Sequence, residues 1–391
     1  MPLSVTLSHY SAACAAGHGK DALWQSLLAG RTGLAPNDFP HVTLATHIGR
    51  VRGLEEQPLP EKFARWDCRN NRLAWLALQQ DGLHSAVLAA RDRYGPHRVA
   101  VVLGTSTASI GSTEDAYRAR SDDLALPAEF REPIIHSPYS LVDFVRQCLA
   151  LTGPACSVST ACSSSARVFA SAARLLALDL ADAVLVGGVD TLCASVLYGF
   201  HSLELMSAAP CRPFDVHRDG LSLGEGGGFA LLTREPGPVR LLGFGETSDA
   251  HHMSSPHPEG LGARRAMEQA LKAADLAPAQ IDYVNLHGTA TRMNDTVEGQ
   301  VMRSLFAEPV PCSSVKGWTG HTLGAAGIVE AVITLLCLER GLIPGTLNCN
   351  EVEPGLEAHV RTTNSLASLH AVMSNSFGFG GNNCSLVFGR A

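Results

Sequence analysis

A chain of 391 residues, 46% hydrophobic and 17% charged, has the composition of a globular protein with a sizeable core, which excludes a disordered one. A formal net charge of −7 gives no overall reason to expect nucleic acid or an anionic membrane as partner. The length suits two domains, or one large fold of two core units.

Taken in order, a strand is expected over residues 5–7 and an amphipathic helix over 20–28, ending at Gly30. Residues 37–60 read as irregular, and 70–91 as one long helix rich in Leu and Ala. Residues 98–103 form a near-continuous apolar strand of the buried, parallel kind. It runs into Gly104-Thr105-Ser106-Thr107, a small-residue loop at a strand's C-terminal end, where α/β folds place ligands. Residues 121–140, with three prolines, are a surface excursion, and 140–151 are helical. A β-prone run, Cys156-Ser157-Val158-Ser159, then leads through Thr160-Ala161-Cys162-Ser163-Ser164-Ser165 into a helix over 166–178. Residues 183–189 are another buried strand. The loop 211–228 looks too charged to be core, and a strand resumes at 229–233.

Glu235-Pro236-Gly237-Pro238 is the best internal boundary. After it, strands over 239–244, 281–286 and 310–313 alternate with helices over 262–274, 296–305 and 325–339. A pair at 371–375 and 384–388 closes the chain. Two successive α/β halves, 1–236 and 237–391, are the economical architecture.

Eleven scattered cysteines, odd in number and without a C-x-x-C pair, suggest neither a zinc site nor a full disulfide framework. No metal site is expected, and reduced thiols fit a cytoplasmic protein. Residues 1–10 lack a secretory pattern, and apolar stretches such as 328–338 are too short for a membrane span.

Cys162 stands out. At the strand-to-helix turn its thiol meets unsatisfied backbone N–H groups and the positive end of the helix macrodipole. A lowered pKa and a better nucleophile are expected there. Three further stretches hold residues unsuited to a core: His287-Gly288-Thr289-Ala290-Thr291, Lys316-Gly317-Trp318-Thr319-Gly320-His321, and Asn375-Ser376-Phe377-Gly378-Phe379-Gly380-Gly381-Asn382. Each follows an expected strand, so each should emerge on one rim. A single histidine is more often structural, a single lysine is usually solvated, and Gly-x-Gly-Gly alone is weak. Together with a reactive thiol they indicate thiol-based acyl chemistry.

These stretches resemble the elongating β-ketoacyl-acyl carrier protein synthases, thiolase-fold condensing enzymes of fatty acid and polyketide synthesis. Pro210-Cys211-Arg212-Pro213-Phe214-Asp215, Arg218-Asp219-Gly220, Gly224-Glu225-Gly226 and Asn294-Asp295 add to the likeness, which covers essentially the whole chain. It implies two duplicated α/β halves layered α-β-α-β-α, the first carrying the nucleophile and the second the histidines. By this resemblance Cys162 takes the acyl chain as a thioester. His287 and His321 then assist decarboxylation of a malonyl thioester, and Lys316 orients them. Backbone N–H groups of Cys162 and Phe379 form the oxyanion hole, and Phe379 also gates the acyl pocket. Thr289 and Thr291 contact the pantetheine arm, while Thr107 and Phe377 line the acyl pocket. Asn285, Glu298 and Glu330 surround a buried polar or ion-containing site.

The resemblance implies no bound cofactor for catalysis, since substrates ride on the phosphopantetheine of an acyl carrier protein. Lys62 and Arg65, with Arg69 and Arg72 at roughly helical spacing, match a docking region for that acidic carrier. The partner would be a second copy, or a ketosynthase paralogue such as an inactive chain length factor. His321 separates the chain from initiating enzymes with a Cys-His-Asn site. Cys384, outside any motif, separates it from degradative thiolases. The segment Leu7-Ser8-His9-Tyr10-Ser11-Ala12-Ala13-Cys14 and the loop 104–107 depart from housekeeping enzymes and favour a pathway-specific paralogue in polyene or polyketide-like lipid synthesis.

Overall fold

The computed structural model describes residues 5–131, 134–357 and 359–390. Five strands lie side by side in the order Val5–Cys14, Gly226–Thr233, Ala183–Asp190, Val99–Gly104 and Ala155–Val158. On the other edge of Val5–Cys14 come Val239–Ser248, Asn382–Arg390, Ala371–Gly378, Tyr283–Asn285 and Cys312–Ser313. Within each array the first two junctions are antiparallel and the last two parallel. In chain order, both arrays run first, fifth, fourth, second, third. The two halves are therefore one topology used twice. They join where Val5, Thr6 and Leu7 pair with Leu241, Arg240 and Val239.

Every residue of Val99–Gly104 and of Ala183–Asp190 is buried, because helices cover both faces. Between the arrays lie Ser164–Ala177 and Ala326–Arg340, sharing a core with Phe169, Val184, Ile328, Leu335 and Phe388. Ala326–Arg340 is buried all round from Ala326 to Leu338, as a central helix must be. A Cβ on Gly327 would lie 2.4 Å from the Ala166 nitrogen, so the two central helices cross in near backbone contact. Arg69–Leu78, Leu83–Tyr94 and Ser140–Leu149 cover the outer face of the first array; Leu261–Ala274 and Arg292–Leu305 cover that of the second. The layers are α-β-α-β-α.

Several element ends shift, the first strand running on to Cys14 and one helix starting at Arg292, a short strand His47–Gly49 lies within 37–60, and three larger differences stand out. The single helix over 70–91 is two, because Asp81 (φ 54°) and Gly82 (φ 73°) adopt the left-handed region that ends a helix. Ile110–Arg118 and Ala194–Ser202 are helices that the sequence reading does not contain. The loop 211–228 is not excluded from the core: Asp215, Arg218 and Glu225 are buried in it. Their charges are matched there. Asp215 accepts the Asn350 and Glu351 N–H groups at 2.7 and 3.1 Å. Glu225 accepts those of Val51 and Leu192 at 2.7 and 3.1 Å and pairs with Arg69. No helix of the described residues is long and apolar enough to cross a membrane.

Candidate active site

The turn that carries Cys162 is held by its own hydroxyls. Ser164 Oγ accepts the Thr160 N–H at 2.9 Å and donates to the Ala161 carbonyl at 2.6 Å, while Ser163 Oγ donates to the Thr160 carbonyl at 2.9 Å. Ala161 takes a left-handed φ of 51°, which turns the chain sharply before the helix. Small neighbours let this turn sit deep. A Cβ on Gly104 would fall 2.5 Å from the Ser165 nitrogen, and one on Gly188 2.5 Å from the Ser165 Cβ. Ser165 Oγ accepts the Ile328 N–H at 2.9 Å and so ties the turn to the second half.

Cys162 is buried, and here the sequence expectation fails. Burial pushes its thiol up to about 11, while the Lys316 charge and a hydrogen bond from the Phe379 N–H pull only partly the other way. Desolvation by burial outweighs the helix terminus, and the sulfur rests as a thiol.

His287 stands at the end of Tyr283–Asn285. The Glu298 carboxylate accepts the N–H groups of His287 at 2.9 Å and Gly288 at 2.8 Å, which fixes the backbone of the turn. Lys316 is buried, not solvated. Its ammonium pairs with Glu330, donates to the His287 carbonyl, and lies 3.4 Å from His287 Nδ1. An ammonium only donates, so His287 Nδ1 is the acceptor and the ring proton is assigned to Nε2. His321 is anchored through its backbone, N–H to the Ser222 carbonyl and carbonyl to the Gly224 N–H, at 2.8 and 2.9 Å. The two rings meet edge to face, centroids 5.3 Å apart. Burial, then the Lys316 charge, holds both imidazoles well below the usual histidine range; His321 adds to the effect on His287. Both rings are neutral N–H donors at physiological pH.

Cys162, His287, His321, Thr289, Thr291, Phe377 and Phe379 line one cavity of about 90 Å³. Its apolar wall includes Phe200, Leu205 and Leu221. Phe379 opens the turn Phe379–Gly381, where Gly380 and Gly381 have φ of 73° and 74°. Its ring stacks on Phe200 at 5.5 Å. Phe200 escaped the sequence reading because its helix, Ala194–Ser202, did too.

Thr107 is not brought into this cavity. Its hydroxyl donates to Asp190 at 2.8 Å, and it lines a separate hollow of about 150 Å³ with Ser159 and His136. Lys62 and Arg65 are exposed on the 3₁₀ turn Glu61–Trp66, their charges over the rings of Phe63 and Trp66. Arg69 and Arg72 do not continue a basic stripe, since Glu225 and Asp67 neutralise them. A larger cleft of about 340 Å³, bordered by Arg69, Arg72, Glu114 and Arg118, contains neither Cys162 nor the two imidazoles.

Behind the histidines, Asn285 Oδ1 and Glu330 Oε2 are buried without hydrogen-bond partners. Burial pushes the Glu298 carboxyl up to about 7 and raises that of Glu330. Two such oxygens suit a water or a hard cation. Among the described residues, no group of three or more His, Cys, Asp and Glu is placed to hold a metal.

The chain matches two family descriptions, the beta-ketoacyl synthase N-terminal domain over residues 9–236 and the C-terminal domain over 239–350. It is 32% identical to the 3-oxoacyl-[acyl-carrier-protein] synthase 2 of Vibrio cholerae, with 96% of each chain covered. Among solved structures it superposes on a ketosynthase in complex with its chain length factor from Xenorhabdus doucetiae. There the TM-score is 0.89 and the identity 38%, over 99% of this chain and 98% of that one. A beta-ketoacyl synthase from Burkholderia phymatum gives a TM-score of 0.88 at 29% identity over the whole of both chains. By these matches the chain belongs to the β-ketoacyl synthase family of condensing acyltransferases.

Proposed function

We propose that Cys162 carries the growing acyl chain and that His287 and His321 run the decarboxylation that extends it. In the first half-reaction the Cys162 sulfur attacks the thioester carbonyl of an acyl-carrier protein. A new C–S bond forms, the pantetheine C–S bond breaks, and the thiol proton leaves with the carrier. In the second, a malonyl-carrier thioester loses carbon dioxide and its electron pair passes into an enolate. The N–H groups of His287 and His321 stabilise the enolate oxygen. The carbanion then attacks the acyl-Cys162 carbonyl, backbone N–H groups of Cys162 and Phe379 hold the resulting oxyanion, and the Cys162 thiolate departs. A 3-oxoacyl-carrier remains. Each such donor is worth on the order of 100-fold in rate when aimed at the developing charge.

The observation that carries this reading is the pairing of one buried thiol with two neutral imidazoles in a single cavity, with Lys316 setting the His287 tautomer. Thr289 and Thr291, hydroxyls 2.9 Å apart on the same wall, would hold the pantetheine arm, and Phe377 the acyl chain. Phe379 would swing off Phe200 to admit it. Asn285, Glu298 and Glu330 would support the histidine turns from behind, with a water or cation on the free oxygens. Lys62 and Arg65, which have no ion-pair partner among the described residues, would meet the acidic carrier. Eleven free thiols fit a reducing cytoplasm, and 236/237 is the working boundary between the two halves.

The Xenorhabdus ketosynthase was solved with a chain length factor, which supports a heterodimer of this catalytic chain with an inactive paralogue. Thr107 would then line an acyl channel completed by that partner. Native mass spectrometry of the co-purified complex decides. Two different subunit masses support the heterodimer, whereas a complex of one mass makes the enzyme a homodimer.

A further inference from the structure

The two histidines are not held alike. Lys316 hydrogen-bonds the His287 ring, whereas His321 Nδ1 is buried without any partner. The orientation of the His321 ring therefore depends on its backbone and packing. On one side that backbone is pinned to Ser222 and Gly224. On the other it passes through Leu323, a non-glycine residue in the left-handed region (φ 56°), to Gly324. The Gly324 N–H ends on Asp190 Oδ2 at 2.6 Å.

Asp190 is wholly buried, does not line the thiol cavity, and is occupied on both oxygens. Oδ1 accepts the hydroxyls of Thr105 and Thr107 at 2.6 and 2.8 Å and the Thr107 N–H at 2.9 Å. The Ser106 N–H reaches both oxygens, at 2.9 and 3.0 Å, and the Ser106 hydroxyl meets Oδ2 at 2.5 Å. One carboxylate at the end of Ala183–Asp190 thus ties the 105–107 loop of the first half to the His321 turn of the second.

We propose that Asp190 is a positioning residue for His321, acting through the Gly324 N–H, and so serves decarboxylation and not acyl transfer. The proposal rests on the roles given above to Cys162 and His321. Its chemistry is specific to a carboxylate. An asparagine there must turn its NH₂ group toward a fixed backbone donor, Gly324 N–H on one side or Thr107 N–H on the other. A methyl on Gly324 perturbs the same link from the other end, since its Cβ would fall 2.6 Å from Asp190 Oδ2. Thr105→Val removes a hydroxyl from Oδ1 and leaves both acceptors of the Gly324 N–H in place, Asp190 Oδ2 at 2.6 Å and Ser106 Oγ at 3.2 Å.

The test separates the half-reactions. Acyl transfer onto Cys162 is followed by intact mass, and carbon dioxide release from malonyl-carrier is measured on enzyme already acylated. In Asp190→Asn, acyl transfer should stay within about threefold of wild type, while decarboxylation falls on the order of tenfold or more. Thr105→Val should leave both within about twofold. If Asp190→Asn does not fold, the same split is read from Gly324→Ala. Decarboxylation at the wild-type rate in Asp190→Asn and Gly324→Ala overturns the proposal, as does a parallel fall of both half-reactions, which marks a merely structural role. A wild-type enzyme that never acylates Cys162 brings down the parent reading instead.

Discussion

Cys162 sits where a helix terminus should favour a thiolate, yet burial among protein atoms pushes its thiol up to about 11. Alkylation of Cys162 by iodoacetamide should therefore climb about tenfold per pH unit from about pH 7 to pH 10, with no plateau near 9. The histidines move the opposite way. Their depressed values mean that neither ring titrates between about pH 8 and pH 6 in nitrogen NMR. The sign for stability follows. In the unfolded chain these rings protonate below about pH 6.5 and in the folded chain they do not, so their linkage lowers stability as pH falls through that value. Lys316→Ala should be costly, because it leaves Glu330 buried beside no cation. A loss of about 3–5 kcal/mol in denaturant unfolding is expected. Cys162, His287, His321, Thr289, Thr291, Phe377 and Phe379 are legible because each sits in a short contiguous motif after a strand. Asp190 and Phe200 are not. A carboxylate closing an apolar strand, or an aromatic in a helix containing Gly199, carries no local mark of the loop it will hold.

The two central helices are the elements on which the site hangs. Ser164–Ala177 starts at the nucleophile and Ala326–Arg340 follows the His321 turn, so their crossing at Ala166 and Gly327 sets the distance between sulfur and imidazole. Gly327→Ala should push them apart, costing about 1–3 kcal/mol by denaturant unfolding. Most strands were readable as apolar runs, and the helix Lys20–Leu28 falls where the sequence puts it. Leu and Ala continue across the break at 81–82, so the pattern alone extends one helix over 70–91. Only the pair Asp81-Gly82 gives it away. The charged loop 211–228 reads as exposed for a different reason. Its burial depends on partners such as Val51, Leu192 and Asn350, which are far away in sequence.

For the whole molecule, the repeated strand order explains why a thiol from one half and histidines from the other reach one cavity. Each half ends its parallel strands on the same rim. That duplication leaves no trace in the residues themselves, since pairing order is set by topology and not by composition. The molecule's net charge is negative, so carrier recognition should depend on local exposed cations. Reversing Lys62 and Arg65 to Glu should raise the KM for the carrier substrate about tenfold at low salt, with kcat little changed and the difference shrinking as salt rises. The central claim rests on a single sulfur. After incubation with an acyl-carrier protein, intact-mass and peptide mapping should find one acyl group on Cys162, absent in Cys162→Ala. A chain that stays unmodified, or one still acylated after Cys162→Ala, would contradict it.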